Sequence, residues 1–312
     1  MRAAMPALPV GTASPARAAG EAPLHRFMPF ICAAFLIAPC LFAGAAQAQN
    51  QRREDGAAAS GPDGGGARPV ESFAFDGRAI DMYVPANAPT AGTRSLLVVL
   101  HGGMGNSAGV RRNLGMDGVA DKYGFLVAYL NGTPSRIRDS MKTWNAGECC
   151  GLAQRRNVDD VGYITAAVHI IEQKYGVDSG RVYGLGHSNG AMMTQRVMCE
   201  TGLYRAAVPI SGPLELDTNI CPAARGKRIM AIHGTDDANV PIAGGPGKGI
   251  AGVNFRSEDD SKRIFEGSGA SYRLQAVPGA DHKPACIRSA IARSGGSMPE
   301  DIVRFLGLAA TH

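Results

Sequence analysis

The residue whose setting most clearly suits chemistry is Ser188, in Gly186-His187-Ser188-Asn189-Gly190. This run follows the apolar segment RVYGL and opens the segment AMMTQRVMCE, so the serine falls where a strand turns into a helix. Such a turn forces the serine into an unusual backbone conformation and lifts its hydroxyl clear, while the flanking glycines remove side chains that would collide. The helix N-terminus behind it offers free N–H groups to a developing oxyanion. A serine hydroxyl is a poor nucleophile until a base takes its proton, and that base needs an acid to orient it.

Both partners stand at later strand ends. The segment RIMAI runs into His233-Gly234-Thr235-Asp236-Asp237, and YRLQA runs into Pro278-Gly279-Ala280-Asp281-His282. Serine, acid and histidine thus follow the chain order of α/β-hydrolases. His282 is the expected base, but spacing alone does not choose between Asp236 and Asp237 for the acid. His101, His187 and His233 lie beside the inferred site as structural or pocket-lining residues, with His187 read as substrate-binding. His169 falls within a helix, and His25 and His312 lie near the chain ends. The oxyanion needs a second donor, and His101-Gly102-Gly103-Met104-Gly105-Asn106 follows the strand SLLVVL where that loop belongs. We assign the hole to the backbone N–H groups of Met104 and Asn189, with Gly103 as the alternative to Met104.

The elements that must carry these residues alternate regularly. Val70 to Pro85 alternates apolar and polar residues around Asp76-Gly77, a hairpin signal. Strands are expected at 95–100, 125–130, 181–185, 205–210, 228–232 and 272–276, and helices at 116–123, 161–176, 189–200, 258–265 and 299–306. Asn157-Val158-Asp159-Asp160 supplies cap residues for the second of these helices. Such alternation implies a mostly parallel sheet with helices on both faces, and ligands in such sheets sit at the carboxyl ends of the strands. The glycine-rich loop Ile242 to Val253, just beyond the acid, is expected to form a groove wall or lid.

With 312 residues, 45% hydrophobic and 19% charged, the chain has an ordinary globular balance that excludes wholesale disorder. An apolar stretch from Phe27 to Ala46 lies between Arg26 and the small-x-small site Ala46-Gln47-Ala48, which reads as a cleaved secretory signal over 1–48. Pro29 and Pro39 interrupt the stretch, so no stable membrane anchor is expected. Cleavage removes three arginines and one glutamate, lowering the formal charge from +5 to +3. No Lys/Arg run tracks phosphates, so no nucleic-acid partner is expected. Residues 49–69, rich in Gly, Ala and charge, read as a flexible tail, and 70–312 as one catalytic domain. Cys149, Cys150, Cys199, Cys221 and Cys286 follow the cleavage site, and an oxidising compartment favours disulfides among them whose pairing the sequence does not give. There is no CxxC, HxxxH, P-loop or GxGxxG, so neither metal nor cofactor is expected.

Six motifs, LHGGMGNSAG, TWNAGECCG, NVDDVGYI, YGLGHSNGAMM, IHGTDDANVP and GADHKP, occur in the order found in secreted esterases grouped with polyhydroxybutyrate depolymerases and feruloyl esterases. The chain resembles that family from about Val70 to Leu306. The resemblance implies a single-domain α/β-hydrolase fold, selects Asp237 as the acid and places Trp144 near the substrate groove. It implies ester substrates, foremost 3-hydroxyalkanoate oligomers or polymer, with hydroxycinnamate esters on plant polysaccharide as the alternative, and a secreted or periplasmic location. Two departures stand out. The chain ends six residues after Leu306, where family members that attack solid polymer continue into a binding domain, and EGSGASY lacks a cysteine expected before the last strand. Prolyl-type peptidases share the acid-loop pattern, and a non-catalytic binding protein is the remaining alternative.

Overall fold

The computed structural model describes residues 70–135, 138–249 and 252–309. The expected signal (1–48) and tail (49–69) lie outside them. Eight strands form one sheet: β1 (Glu71–Phe75), β2 (Arg78–Tyr83), β3 (Arg94–Leu100), β4 (Leu126–Leu130), β5 (Val177–His187), β6 (Ala206–Ile210), β7 (Arg228–Gly234) and β8 (Ser271–Val277). Their spatial order is β1-β2-β4-β3-β5-β6-β7-β8. β1 and β2 form the antiparallel hairpin read from the sequence, turning at Asp76 (φ 49°) and Gly77 (φ 68°), and β2 runs antiparallel to β4. All remaining neighbours are parallel.

Continuous apolar runs form these strands because both sheet faces are covered. In β3, Leu96, Val98 and Leu100 pack into one core and Leu97 and Val99 into the other, and all five are fully buried. The first core is closed by α4 (Asp160–Tyr175), α5 (Asn189–Thr201) and α6 (Glu258–Gly267). The second is closed by α1 (Ser107–Leu114), α2 (Met116–Tyr123), α7 (Pro284–Arg293) and α8 (Met298–Leu306); a short α3 spans Gly151–Arg155.

Local signals start and stop the helices. Asp159 caps α4 by accepting the Gly162 N–H, and Ser257 and Asp260 form a reciprocal capping box on α6. α1, α3 and α7 are not read from the sequence. α1 carries only Val110 and Leu114 as buried apolar side chains of any size, too few for a periodic signal, and starts instead from the Asn106 side chain accepting the Gly109 N–H.

Cys199, near the end of α5, and Cys221 lie at bonding distance with Cα atoms 4.4 Å apart. The described part of the loop expected as a groove wall or lid is tied to the acid loop. Gly245–Pro246 pairs with Asn254–Phe255, and Lys248 donates its N–H to the Ala238 carbonyl.

Candidate active site

Strands β5, β7 and β8 end together, and the structure brings Ser188, Asp237 and His282 into one hydrogen-bonded line there. The Ser188 hydroxyl lies 2.9 Å from His282 Nε2, and His282 Nδ1 lies 2.7 Å from Asp237 Oδ2. This geometry puts the Nδ1–H on the carboxylate and leaves Nε2 to accept from the hydroxyl.

Ser188 sits at φ 55°, ψ −125°, outside the regions that L residues normally occupy. Close packing of backbone on backbone holds it there. A Cβ on Gly186 would lie 2.2 Å from the Gly190 carbonyl oxygen, and one on Gly190 would lie 2.4 Å from that of Leu100. Both positions therefore require glycine, and the turn is wedged against the end of β3. Ser188 also donates its N–H to Ile210 O at the end of β6.

The loop after β3 closes over this turn. Gly105 donates to Gly102 O, and Met104, third in that turn, has φ 63° while Gly103 does not take a positive φ, as a type II turn requires. A methionine there is strained, and it is one of the large apolar residues left exposed (44%). A Cβ on Gly102 would lie 3.3 Å from the Ser188 Cβ, so the loop backbone rests directly on the nucleophile. Among the described residues, the N–H groups of Gly103, Met104 and Asn189 donate to no other group. The Asn189 side chain is committed elsewhere: its Oδ1 accepts the Trp144 N–H at 2.7 Å and its Nδ2 donates to Trp144 O at 3.0 Å.

Trp144, expected near the groove, lies beneath it. Its side chain is completely buried, its ring centroid is 5.1 Å from that of His101, and its indole N–H donates to His101 O at 2.9 Å. A large apolar ring with one donor fits where a core gap adjoins a backbone acceptor. Trp144 thus braces the loop after β3 through His101 and the start of α5 through Asn189. His101 works with it. Its Nε2 accepts the Gly132 N–H and its Nδ1–H donates to Gly102 O, while burial pushes the ring down to about 4, so it is neutral.

His187 is half-buried beside His282, with ring centroids 4.9 Å apart. Its Nε2–H donates to the His282 carbonyl at 2.8 Å, which spends its polar group on the base's backbone. Burial, and then the neighbouring His282, push it down to about 3.

Of the two adjacent acids, the structure turns Asp237 inward. Its Oδ1 accepts the N–H groups of Asn239 and Val240 at 3.0 and 2.9 Å, and Oδ2 receives His282 and, at 3.3 Å, His233 Nε2. Burial opposes its charge, but hydrogen bonds from His233 and His282 hold the carboxyl well below the usual range. Asp236 is exposed, with the Thr235 hydroxyl donating to its carboxylate.

Sequence reading missed two supports. Asp160, treated only as a cap, is buried and accepts from Arg78 at 2.5 Å and from the Asn145 N–H at 2.7 Å, fixing the loop that carries Trp144. His233 and Glu258, 25 residues apart, form a buried pair behind Asp237. The cap position of Asp160 was visible, but no local spacing announces the second pair. Among the described residues no cluster of His, Cys, Asp and Glu could hold a metal ion.

The strand order, the serine turn and the positions of acid and histidine define an α/β-hydrolase fold. Solved structures agree at the level of fold. The acetyl xylan esterase from Aspergillus awamori superposes with a TM-score of 0.57 at 16% identity, covering 78% of this chain and all of that one. An S-formylglutathione hydrolase from Agrobacterium tumefaciens gives 0.56 at 13% identity, covering 77% and 95%. In sequence, the chain resembles esterases. It is 30% identical over 166 residues to a bifunctional acetylxylan esterase/xylanase of Neocallimastix patriciarum, covering 52% of this chain and 22% of that protein. It is 33% identical over 132 residues to feruloyl esterase B of Neurospora crassa, covering 42% of each. The chain thus spans less than half the length of these relatives. No protein-family model matches it.

Proposed function

We propose that the protein is a serine hydrolase of carboxylic esters working through an acyl-enzyme, exported from the cytoplasm by its leader. The observation that carries this reading is the line from Ser188 Oγ through His282 to Asp237, with contacts of 2.9 and 2.7 Å, at a helix N-terminus. Ser188 attacks the ester carbonyl while His282 Nε2 takes its proton. Asp237 keeps the imidazole in the tautomer that can accept it and stabilises the imidazolium that forms. The N–H groups of Asn189 and Met104, or Gly103 in its place, receive the oxyanion. His282 then protonates the departing alcohol, and water, deprotonated by the same ring, releases the acid and restores Ser188.

The sequence relatives carry names of acetylxylan and feruloyl esterases, and these favour acetyl or hydroxycinnamoyl esters of plant polysaccharide as the substrate class. This moves weight away from 3-hydroxyalkanoate esters, which rest on the six-motif order and stand as the second reading. Turnover compared on acetylated xylan, methyl ferulate and 3-hydroxybutyrate oligomers tests the choice: oligomer hydrolysis exceeding the other two would reverse it. A fluorophosphonate probe should label the wild-type protein and leave Ser188→Ala unlabelled. An unlabelled wild type would return the chain to a binding role, and amide hydrolysis faster than ester hydrolysis would point to a peptidase.

A further inference from the structure

His233 ends β7 with its side chain completely buried. Its Nδ1 lies 2.7 Å from Glu258 Oε1, and its Nε2 lies 2.9 Å from Val240 O and 3.3 Å from Asp237 Oδ2. Each ring nitrogen therefore faces only oxygen acceptors. A neutral imidazole has one N–H and one lone pair, and here that lone pair would point at an oxygen within hydrogen-bonding range, at the full cost of an unmade buried bond. A proton on Glu258 Oε1 would also satisfy Nδ1, since Oε2 accepts the Tyr272 hydroxyl at 2.6 Å in either state, but the second carboxylate, Asp237 Oδ2 at 3.3 Å from Nε2, favours the proton on the ring. The pair is thus arranged as imidazolium and carboxylate, and the imidazolium shares an Asp237 oxygen with His282.

We propose that His233, carrying protons on both ring nitrogens and anchored by Glu258, is a positioning residue that locks the Asp237 carboxylate onto His282. Its kinetic consequence rests on the esterase reading; its protonation does not. Burial works against the charge, but hydrogen bonds to Asp237 and Glu258 outweigh it and push the ring up to about 10. The groups that face this pair come from every adjoining element: Asp237 from the acid loop, Glu258 from α6, Tyr272 from β8, His282 from the loop after β8 and His187 from the end of β5. Glu215, beyond β6, acts on Glu258 through space, and burial pushes it up to about 8. Asn239, Val240 and His282 donate to Asp237 and His233 Nε2 stands 3.3 Å from its Oδ2, so the carboxylate cannot rotate away when His282 gains and loses its proton.

Two measurements test this. In NMR spectra of the full protein with ¹⁵N-labelled histidine, the His233 ring, assigned by its loss in His233→Gln, should show both nitrogens protonated from pH 6 to pH 9. A single-proton tautomer in that range overturns the proposal, and this reading needs no variant to be active. In kinetics, His233→Gln and, less strongly, Glu258→Gln should lower kcat with little change in KM. A folded His233→Gln whose kcat is unchanged, or whose loss lies wholly in KM, also overturns it. Should Ser188→Ala keep full turnover, the esterase reading falls while the spectroscopic result on His233 stands by itself.

Discussion

The nucleophile turn and the acid loop meet at His282 from opposite sides, and different forces hold them. At the turn, everything is backbone: Ser188 is kept at φ 55° by glycines whose missing side chains let carbonyls approach, and by the N–H bond to Ile210. At the acid loop, everything is charge and hydrogen bonding: Asp237, His233 and Glu258 are all buried, and each is satisfied by a polar partner. The turn should therefore be intolerant of volume and the acid loop intolerant of lost charge or lost donors. A strained serine needs rigid walls, whereas a carboxylate that must answer a changing charge needs fixed dipoles.

Five changes probe that contrast. Ser188→Ala removes the nucleophile without touching the wedge, so ester turnover should fall by about 10⁴-fold or more at unchanged thermal stability; comparable kcat would refute the assignment. Asp237→Asn keeps shape but loses the charge and favours the wrong tautomer of His282, and kcat should drop by about 10³ to 10⁴-fold. If the variant instead fails to fold, the acid loop depends on its charge more deeply than the turn does. Gly190→Ala should cost about 4 kcal/mol or prevent folding, because its Cβ would meet the Leu100 carbonyl oxygen at 2.4 Å and neither backbone can yield cheaply. Chemical denaturation would read this, and a loss under 1 kcal/mol would show the wedge to be soft.

The fourth concerns pH. The His233 ring binds its proton more tightly folded than unfolded, up to about 10 against about 6.5. Its stabilisation is therefore complete below about pH 6.5 and is lost as pH rises through about 10, by at most about 1.4 kcal/mol per pH unit. Glu215 acts with the same sign, so the contribution of His233 is the difference in slope between wild type and His233→Gln. Equal slopes would remove the charge from this account of the acid loop. The smallest effect is expected for Trp144→Phe, which loses one hydrogen bond to His101 O at about 1 kcal/mol of stability with KM unchanged. A tenfold rise in KM at unchanged stability would put the ring in the groove after all.

Much of the frame was legible in the chain. Glycine spacing around Ser188, apolar runs long enough to bury both faces, and cap residues such as Asp159 are local signals, and a reader needs only the neighbouring residues to use them. The polar helix α1 was not, because it begins from the Asn106 cap rather than from a stripe of apolar side chains. The choice between Asp236 and Asp237 lay in which of two adjacent side chains the loop turns inward, and spacing along a chain carries no such information without a likeness to other proteins. Trp144 shows the converse, since a sequence likeness suggested proximity to the groove but not which side of the loop the ring would occupy.

By itself, then, the sequence determined the serine turn, the order of the three groups and the alternation of strands and helices, because each is written in residues a few positions apart. The burial of Trp144, the inward turn of Asp237 and the pairing of His233 with Glu258 were decided only by tertiary structure. These depend on distances between residues brought together across strands, where hydrogen bonds between buried groups outweigh the desolvation that opposes their charges.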